Sequence, residues 1–280
     1  MYRDLVVPIA GTPGDESAVA CAIAIASSSE AHVALLEFLN LPSPMAGPFG
    51  GADFGYAPLC DRVRDAANAR AQAWRERLAR EAITLSSEVR TVESYFHESA
   101  RLAALHARYA DLSVVTSSPD ADAGPAGARG LFAALLFGSG RPVLLTPPGH
   151  AWCTPRHVVV AWQPRREATR ALHDALPLLA SAESVDVLSI GESWGDDGDG
   201  PRPGVEISTH LARHGLKVRD VLRGRSVSVA RSILEHATES GADLIVAGGY
   251  GHSRLREWAV GGVTRELSSG ASRLPILFSH

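Results

Sequence analysis

The sequence repeats one pattern of segments twice, and this repeat restricts the fold more than any other feature. Ala110-Asp111-Leu112 opens an apolar run in the first half, and Ala242-Asp243-Leu244 opens a similar run 132 residues later. Arg141 and Arg273 show the same separation, each just before a short apolar run near the end of its half. In a chain of 280 residues, such a repeat predicts two domains of similar structure and ordinary size.

Each half alternates strands and helices from its beginning to its end. Five strands separated by four helices predict a parallel sheet with helices on both faces. We therefore predict an α/β protein of two tandem domains, flavodoxin-like or Rossmann-like, each with a five-stranded parallel sheet. The first domain should span residues 1–148 and the second 156–280. The linker between them, 149–155, lies among prolines and a glycine, which are typical of a connection.

The element boundaries follow from the apolar runs and from the helical periodicity between them. The predicted strands lie near residues 3–9, 32–39, 87–94, 111–117, 142–146, 156–162, 184–190, 217–223, 242–248 and 274–279. The predicted helices lie near residues 15–29, 59–82, 97–108, 128–137, 165–181, 203–214, 226–240 and 262–271. Two long loops, 42–58 and 191–204, fall outside the repeat and could contact a partner protein.

Composition narrows the classes of function. The formal net charge of −4 argues against a general nucleic-acid surface, which would be basic. No apolar run is long enough to span a bilayer, and the first residues lead into a strand rather than a signal sequence, so we expect a cytoplasmic protein. The three cysteines form no Cys-x-x-Cys pair and predict neither a disulfide framework nor a zinc site.

A glycine-rich segment follows the fourth predicted strand of the second half. Gly248, Gly251 and Gly261 have the spacing Gly-x2-Gly-x9-Gly between strand 242–248 and helix 262–271. Gly248 and Gly251 can take positive φ and let a ligand approach the main chain. The helix that follows Gly261 presents free N–H groups, which favour an anion. The segment therefore predicts a cradle for phosphate groups, with a spacing that differs from the Walker and dinucleotide-binding motifs.

This spacing, together with the order of elements, resembles the universal stress protein family in its tandem two-domain form. Nucleotide-binding members carry Gly-x2-Gly-x9-Gly-Ser/Thr after the fourth strand of a five-stranded α/β domain. Gly248, Gly251 and Gly261 match this motif, but Gly262 stands where Ser or Thr is expected, and the nearest hydroxyl belongs to Thr264. The change removes one neutral hydrogen bond, worth about 1 kcal/mol, and leaves the backbone amides.

The resemblance implies an adenine-nucleotide site at the carboxyl edge of the second sheet, where ligands of open α/β folds bind. Backbone amides of 249–252 and 261–263 would hold the phosphates, and His252 and Arg254 bring positive charge toward them. The predicted site residues are Ala161, Gln163, Gly248, Gly249, Gly251, His252, Arg254, Gly261, Gly262, Val263 and Thr264.

The opposite wall of the site lacks a residue that the family carries. An Asp commonly follows the first strand there and contacts the ribose or metal-bound phosphates. Here Ala10 takes that place in the first half and Gln163 in the second. Gln163 can hydrogen-bond a ribose, but an amide is a poorer magnesium ligand than a carboxylate. We therefore expect ATP or AMP to bind without Mg²⁺, or another ligand to take their place.

The first half departs further from the motif. After its fourth strand the chain runs from Thr116 to Pro125, and no Gly-x2-Gly-x9-Gly spacing can be drawn there. The first half should therefore not bind phosphate in the manner of the family.

The sequence offers little for catalysis. It contains no Gly-x-Ser-x-Gly pattern for a serine nucleophile. His210 and His214 lie four residues apart on a predicted helix, yet the Glu of a His-Glu-x-x-His zinc motif is missing. An exposed amphipathic helix accounts for both histidines, and no metal site or enzyme activity is predicted.

Three hypotheses remain open from the sequence. The first is a stress-response protein that binds adenine nucleotide in its second domain only. The second is an interaction protein with degenerate sites, in which loops 42–58 and 191–204 contact an unidentified partner protein. The third is a slow ATPase. In each case the final strands of the two domains should pair antiparallel, so that one chain resembles a dimer of single-domain relatives. Further assembly into a homodimer is left open.

Overall fold

The computed structural model describes residues 1–42, 56–95, 98–117, 127–191, 202–250 and 262–280. The ten strands are β1 (Asp4–Pro8), β2 (His32–Leu41), β3 (Ser87–Tyr95), β4 (Leu112–Thr116), β5 (Val143–Thr146), β6 (His157–Ala161), β7 (Ser184–Ile190), β8 (Val218–Arg223), β9 (Leu244–Gly248) and β10 (Ile276–Ser279). The helices are α1 (Asp15–Ser29), α2 (Tyr56–Glu81), α3 (Ser99–Ala107), α4 (Ala128–Gly138), α5 (Arg166–Leu179), α6 (Gly204–Arg213), α7 (Val229–Ser240) and α8 (Gly262–Glu266).

All ten strands join into one continuous sheet. Their order is β3-β2-β1-β4-β5-β10-β9-β6-β7-β8, so each half contributes five neighbouring strands in the same internal order. Within each half every pairing is parallel, as predicted. The halves meet where β5 pairs antiparallel with β10, with Leu144 opposite Leu277. The predicted antiparallel pairing of the final strands is therefore confirmed.

The predicted elements are all present, and the differences lie at their ends. Helix α7 begins at Val229, later than predicted, because Ser228 caps it: the Ser228 hydroxyl oxygen accepts the Arg231 N–H at 3.0 Å. Helix α8 ends at Glu266 and continues as a π-helical turn to Ala271, which contains Gly270 at φ 81°. Glycine adopts that left-handed conformation without the steric cost that a Cβ atom imposes.

The first predicted loop is shorter than expected at its described end, and the second ends within one residue of its predicted end. Residues 43–55 and 192–201 lie outside the described residues, and with them most of both loops. Helix α2 already begins at Tyr56, and α6 begins at Gly204. The domain boundaries proposed from the sequence, at 148 and 156, stay a prediction.

Apolar side chains cross the junction between the halves. Phe132 on α4 and Phe278 on β10 are both buried, and their ring centroids lie 5.3 Å apart with the planes at 67°. This edge-to-face arrangement is a favourable one for aromatic pairs. The Tyr2 hydroxyl also donates to the Asp174 carbonyl oxygen at 2.7 Å across the same junction. The two halves therefore share part of one core.

Two further observations concern the cysteines and the membrane. Cys21 is buried on α1, where it serves as a small apolar side chain, and Cys153 in the predicted linker is exposed. Among the helices that the structure describes, none combines the length and the apolar character needed to cross a bilayer.

Candidate functional site

The carboxyl ends of β6 and β9 lie side by side. Ala161, the last residue of β6, is opposite Ala247, and Gly248 ends β9 one residue later. Gln163 follows β6 at the same edge and is exposed. Strand β6 lies between β9 and β7, so the connections from β6 and β9 run to opposite sides. Such a position is the topological switch point, where open α/β sheets bind ligands. The structure thus brings Ala161, Gln163 and the first motif glycine together.

Gly248 allows a close contact between two elements. A Cβ atom built on Gly248 would lie 2.6 Å from the Ala168 nitrogen and 2.8 Å from the Glu167 carbonyl carbon, both backbone atoms of α5. Glycine is therefore needed so that the first turn of α5 can pack against the end of β9. The expectation that Gly248 takes positive φ is wrong, because the residue is part of the strand and is not among the glycines with positive φ.

Gly249 lies at the junction of the two halves. Its N–H donates to the Ser279 carbonyl oxygen at 2.8 Å, and its carbonyl oxygen lies 3.0 Å from Nδ1 of His280. A Cβ atom on Gly249 would meet Cδ2 of Leu136, on α4 of the first half, at 2.8 Å. This glycine thus permits contact with the other half of the molecule, a role that the motif alone did not predict.

Tyr250 has the left-handed conformation that was expected of a glycine. Its φ is 58°, which is uncommon for a bulky residue. Its N–H donates to Oγ1 of Thr264 at 3.1 Å, and its ring lies 4.5 Å from the ring of Phe137 on α4. Burial raises the pKa of the Tyr250 hydroxyl. The side chain is therefore packed against the first half.

Two backbone amides of the predicted phosphate cradle already donate hydrogen bonds within the protein. The N–H groups of Gly249 and Tyr250, two of the amides expected to hold phosphate, donate to Ser279 and Thr264. Thr264, the nearest hydroxyl to the position where the family has Ser or Thr, is buried and accepts the bond from Tyr250. Gly262 and Val263 begin α8, where Gly262 is exposed.

The remaining predicted site residues cannot be placed in the same way. Gly251, His252, Arg254 and Gly261 lie outside the described residues.

The corresponding edge of the first half contains a carboxylate that sequence reasoning missed. The N–H groups of Ala10, Gly11 and Thr12 donate to the Asp15 carboxylate at 3.2, 2.7 and 2.9 Å. Asp15 is the first residue of α1 and only 4% exposed. Burial raises the pKa of Asp15, and the three backbone bonds oppose that shift. The loop amides after β1 thus bind an anion supplied by the chain itself.

A second buried carboxylate lies close to Asp15. Glu37 on β2 has one oxygen, Oε1, 2.7 Å from Nε of Arg70, while Oε2 is buried with no hydrogen-bond partner among the described residues. Burial raises the pKa of Glu37, Arg70 opposes this, and the charge of Asp15 adds to it. The first half therefore has two buried acids at the edge where the family site would lie.

Replacing Glu37 with glutamine should alter the pH dependence of stability in a defined direction. The folded protein keeps the Glu37 proton to a higher pH than the unfolded chain, so ionisation of Glu37 lowers the free energy of unfolding as the pH rises above about 4.3. The Glu37→Gln variant should therefore gain stability relative to wild type as the pH rises above about 4.3, with the difference shrinking below that pH.

Urea unfolding across this pH range measures the effect. Glu76→Gln, on the exposed side of α2, is the matched control for removal of a surface carboxylate. A Glu37→Gln variant whose difference from wild type does not change with pH would contradict the proposed burial effect.

The histidines on α5 and α6 lie close together. The rings of His210 and His214 have centroids 4.8 Å apart, as their spacing predicted, and His173 is 5.4 Å from His210. Burial, together with the neighbouring His214 and His173, lowers the pKa of His210. Within the described ranges, no group of three or more His, Cys, Asp or Glu residues is arranged to hold a metal ion.

The whole chain is similar to solved structures of tandem size. A universal stress protein from Archaeoglobus fulgidus superimposes with a TM-score of 0.71 at 15% identity, covering 99% of this chain and 95% of that one. A functionally unknown protein from Pseudomonas aeruginosa PAO1 gives a TM-score of 0.62 at 16% identity, covering 99% and 92%. No protein-family model and no curated protein matches the sequence. The chain therefore has the α/β fold of the universal stress proteins in tandem form.

Proposed function

We propose that this chain is a tandem universal stress protein that binds an adenine nucleotide in its second half only. The observation that carries the proposal is the position of the glycine motif. Gly248 ends β9 directly beside the carboxyl end of β6, at the switch point of the sheet. A ligand held by the loop that follows Gly248 would meet Gln163 on the neighbouring strand.

The contrast between the halves supports a single site. In the first half, the amides after β1 already bind Asp15. In the second half the loop between Ala161 and α5 carries no acidic residue, and Glu167 in the first turn of α5 is paired with Arg166 at 3.6 Å. A nucleotide phosphate brought to the first half would meet the negative charge of Asp15, whereas in the second half it would meet the exposed amide of Gln163. The second half is thus the better anion site.

The donor groups favour binding without magnesium. Mg²⁺ is usually bound through one or two carboxylates and the phosphates of the substrate. Gln163 supplies an amide oxygen in place of the carboxylate. We propose that the nucleotide binds as the metal-free anion and is not turned over.

Titration of nucleotide-stripped protein with ATP and AMP, each with and without Mg²⁺, tests the proposal. We expect one site per chain and affinities that change little on adding Mg²⁺. Gly261→Trp, which places a bulky side chain in the motif, should weaken binding at least tenfold. Gly224→Ala, after β8 and outside the motif, is the control, because a Cβ atom there meets no atom within 4 Å, and it should bind like wild type.

One observation favours the second candidate function, an interaction protein without a small ligand. The N–H groups of Gly249 and Tyr250 already have acceptors within the protein, so the described part of the cradle offers fewer free donors than the motif predicts. A flat isotherm with both nucleotides, together with no rise in melting temperature at millimolar ligand, would support this candidate and reject the first.

A further inference from the structure

A cluster of charged side chains lies inside the second half, away from the glycine motif. The Asp186 cluster consists of Asp186, His157, Arg219 and His236. Asp186 on β7 is fully buried, and Arg219 on β8 donates to its two oxygens at 2.6 and 2.8 Å. Nε2 of His236 lies 2.9 Å and Nε2 of His157 3.3 Å from Oδ2 of Asp186. Four nitrogen atoms, from two strands and one helix, therefore lie close to one carboxylate.

The cluster lies at the opposite end of the sheet from the nucleotide site. His157 is the first residue of β6, and Asp186 and Arg219 lie in the first half of β7 and β8. Gly248 and Gln163, in contrast, are at the carboxyl ends of their strands. The cluster is thus separate from the site proposed above and independent of it.

The first half provides an internal comparison. In each half, the first strand pairs with the second strand and with the leucine of the repeated Ala-Asp-Leu segment. When the two halves are aligned by these pairings, Ala34 of the first half takes the position of Asp186. The 132-residue separation places Ala104 at the position of His236. Both alanines are buried. The same fold thus forms with two methyl groups where the second half has an acid and an imidazole.

This comparison indicates that the cluster has a role other than packing. Removing charges from water costs free energy that a buried ion pair often does not recover, and a well-packed apolar replacement is commonly as stable or more so. Burial alone would raise the pKa of Asp186, but hydrogen bonds from Arg219 and His236 hold it below its usual range, so Asp186 is an anion at neutral pH. The second half therefore maintains a buried charge that the fold does not require.

The geometry suits Asp186 to orient its neighbours. Arg219 uses Nε and Nη2 on Asp186, so Nη1 points away from the carboxylate, and the side chain is 60% exposed. A guanidinium fixed on one edge by a buried acid presents its other donors in a set direction. Nε2 of His236 is hydrogen-bonded to Asp186 at 2.9 Å, whereas Nε2 of His157 lies 3.3 Å from both Asp186 Oδ2 and Nη2 of Arg219.

An open cavity of about 750 Å³ lies against the cluster, a size typical of small-molecule sites. Besides the cluster it is lined by Ser184, Asp220, Val221, Glu239 and Ser240. Its two other acids have cationic partners: Asp220 is paired with Arg202 at 2.7 Å and Glu239 with Arg223 at 2.7 Å. The cavity therefore combines hydroxyl groups with a guanidinium and two imidazoles, while each of its carboxylates is paired.

We propose that the Asp186 cluster is a second binding site, for a small oxyanion such as a phosphate or carboxylate group. Arg219 binds the anion directly, His157 and His236 line the site, and Asp186 orients all three.

Calorimetric titration with inorganic phosphate and, separately, malonate tests the site. Wild-type protein should bind at least one of them at one site per chain, at millimolar or lower concentration. Comparison of the two titrations shows whether phosphate or carboxylate is preferred. Arg219→Gln should weaken binding at least tenfold. The matched control is Arg90→Gln on β3, where an arginine pairs with exposed Glu88, and it should bind like wild type.

Two further variants distinguish loss of anion binding from loss of folding, and distinguish this site from the nucleotide site. Asp186→Ala with His236→Ala installs the residues that the first half has at these positions; it should fold and bind the anion at least tenfold more weakly. Gly261→Trp should bind the anion like wild type. The proposal is overturned if wild type binds neither anion at millimolar concentration, or if Arg219→Gln binds as well as wild type. If the double variant does not fold, Arg219→Gln decides alone.

Discussion

Substitution of Gly248 by alanine should destabilise the chain by about 3 kcal/mol, because the new methyl group would overlap backbone atoms. Its Cβ would lie 2.6 Å from the Ala168 nitrogen and 3.0 Å from the Ala168 Cα. A side chain could rotate away from such a contact, but the first turn of α5 is held by its own hydrogen bonds and must shift as a unit. We expect the end of β9 and the start of α5 to separate, which also disturbs the proposed nucleotide site.

Urea unfolding followed by circular dichroism measures this loss. Gly262→Ala is the matched control, since a Cβ atom at that position has open space and the residue is helical. It should leave stability unchanged or raise it by up to about 1 kcal/mol, because alanine favours a helix over glycine. If Gly248→Ala is as stable as Gly262→Ala, the close contact between β9 and α5 does not exist in solution.

Removal of the Phe278 ring should cost about 4 kcal/mol, within the range for Phe→Ala in a core. Phe278 is fully buried on β10, opposite Val143 on β5, and its ring packs on Phe132 from the other half. The Phe278→Ala cavity would therefore lie at the junction between the halves. We expect lower stability and, because the shared core is weakened, two separate unfolding steps where we expect one for wild type.

The control for this experiment is on the same helix as Phe132. Phe137 also contacts the second half, through Tyr250, but is 51% exposed. Phe137→Ala should therefore cost no more than about 1 kcal/mol. A Phe278→Ala variant that loses as little as Phe137→Ala, or that unfolds in one step like wild type, would contradict a shared core.

Much of the fold was predictable because strands and helices leave local signals. Runs such as Leu244 to Ala247 are apolar on both faces, which is typical of a strand buried in a parallel sheet. The repeat then determined how many such strands each half contains. Boundaries were less predictable, because they depend on single contacts: α7 starts at Val229 because the Ser228 hydroxyl accepts a backbone bond.

The candidate site was predictable only in part. The glycine spacing indicated the correct edge of the sheet, since parallel strands end together. It did not indicate what the glycines contact: Gly248 makes room for α5, and Gly249 makes room for Leu136 of the other half. Nor did it indicate that Asp15 binds the amides after β1, because that contact depends on how the first turn of α1 bends back on the loop.

The Asp186 cluster shows most clearly where sequence information ends. Asp186 stands within the apolar run Val185 to Leu188, and this single acid was the available signal. Its partners come from positions 29 before it to 50 after it in the chain, and only the sheet register and the packing of α7 bring them within hydrogen-bond distance. The sequence alone determined the repeat, the alternation of strands and helices and the edge where the motif lies, because these depend on local composition and spacing. The tertiary structure decided which side chains meet, because contacts between distant residues depend on the three-dimensional packing of the whole chain.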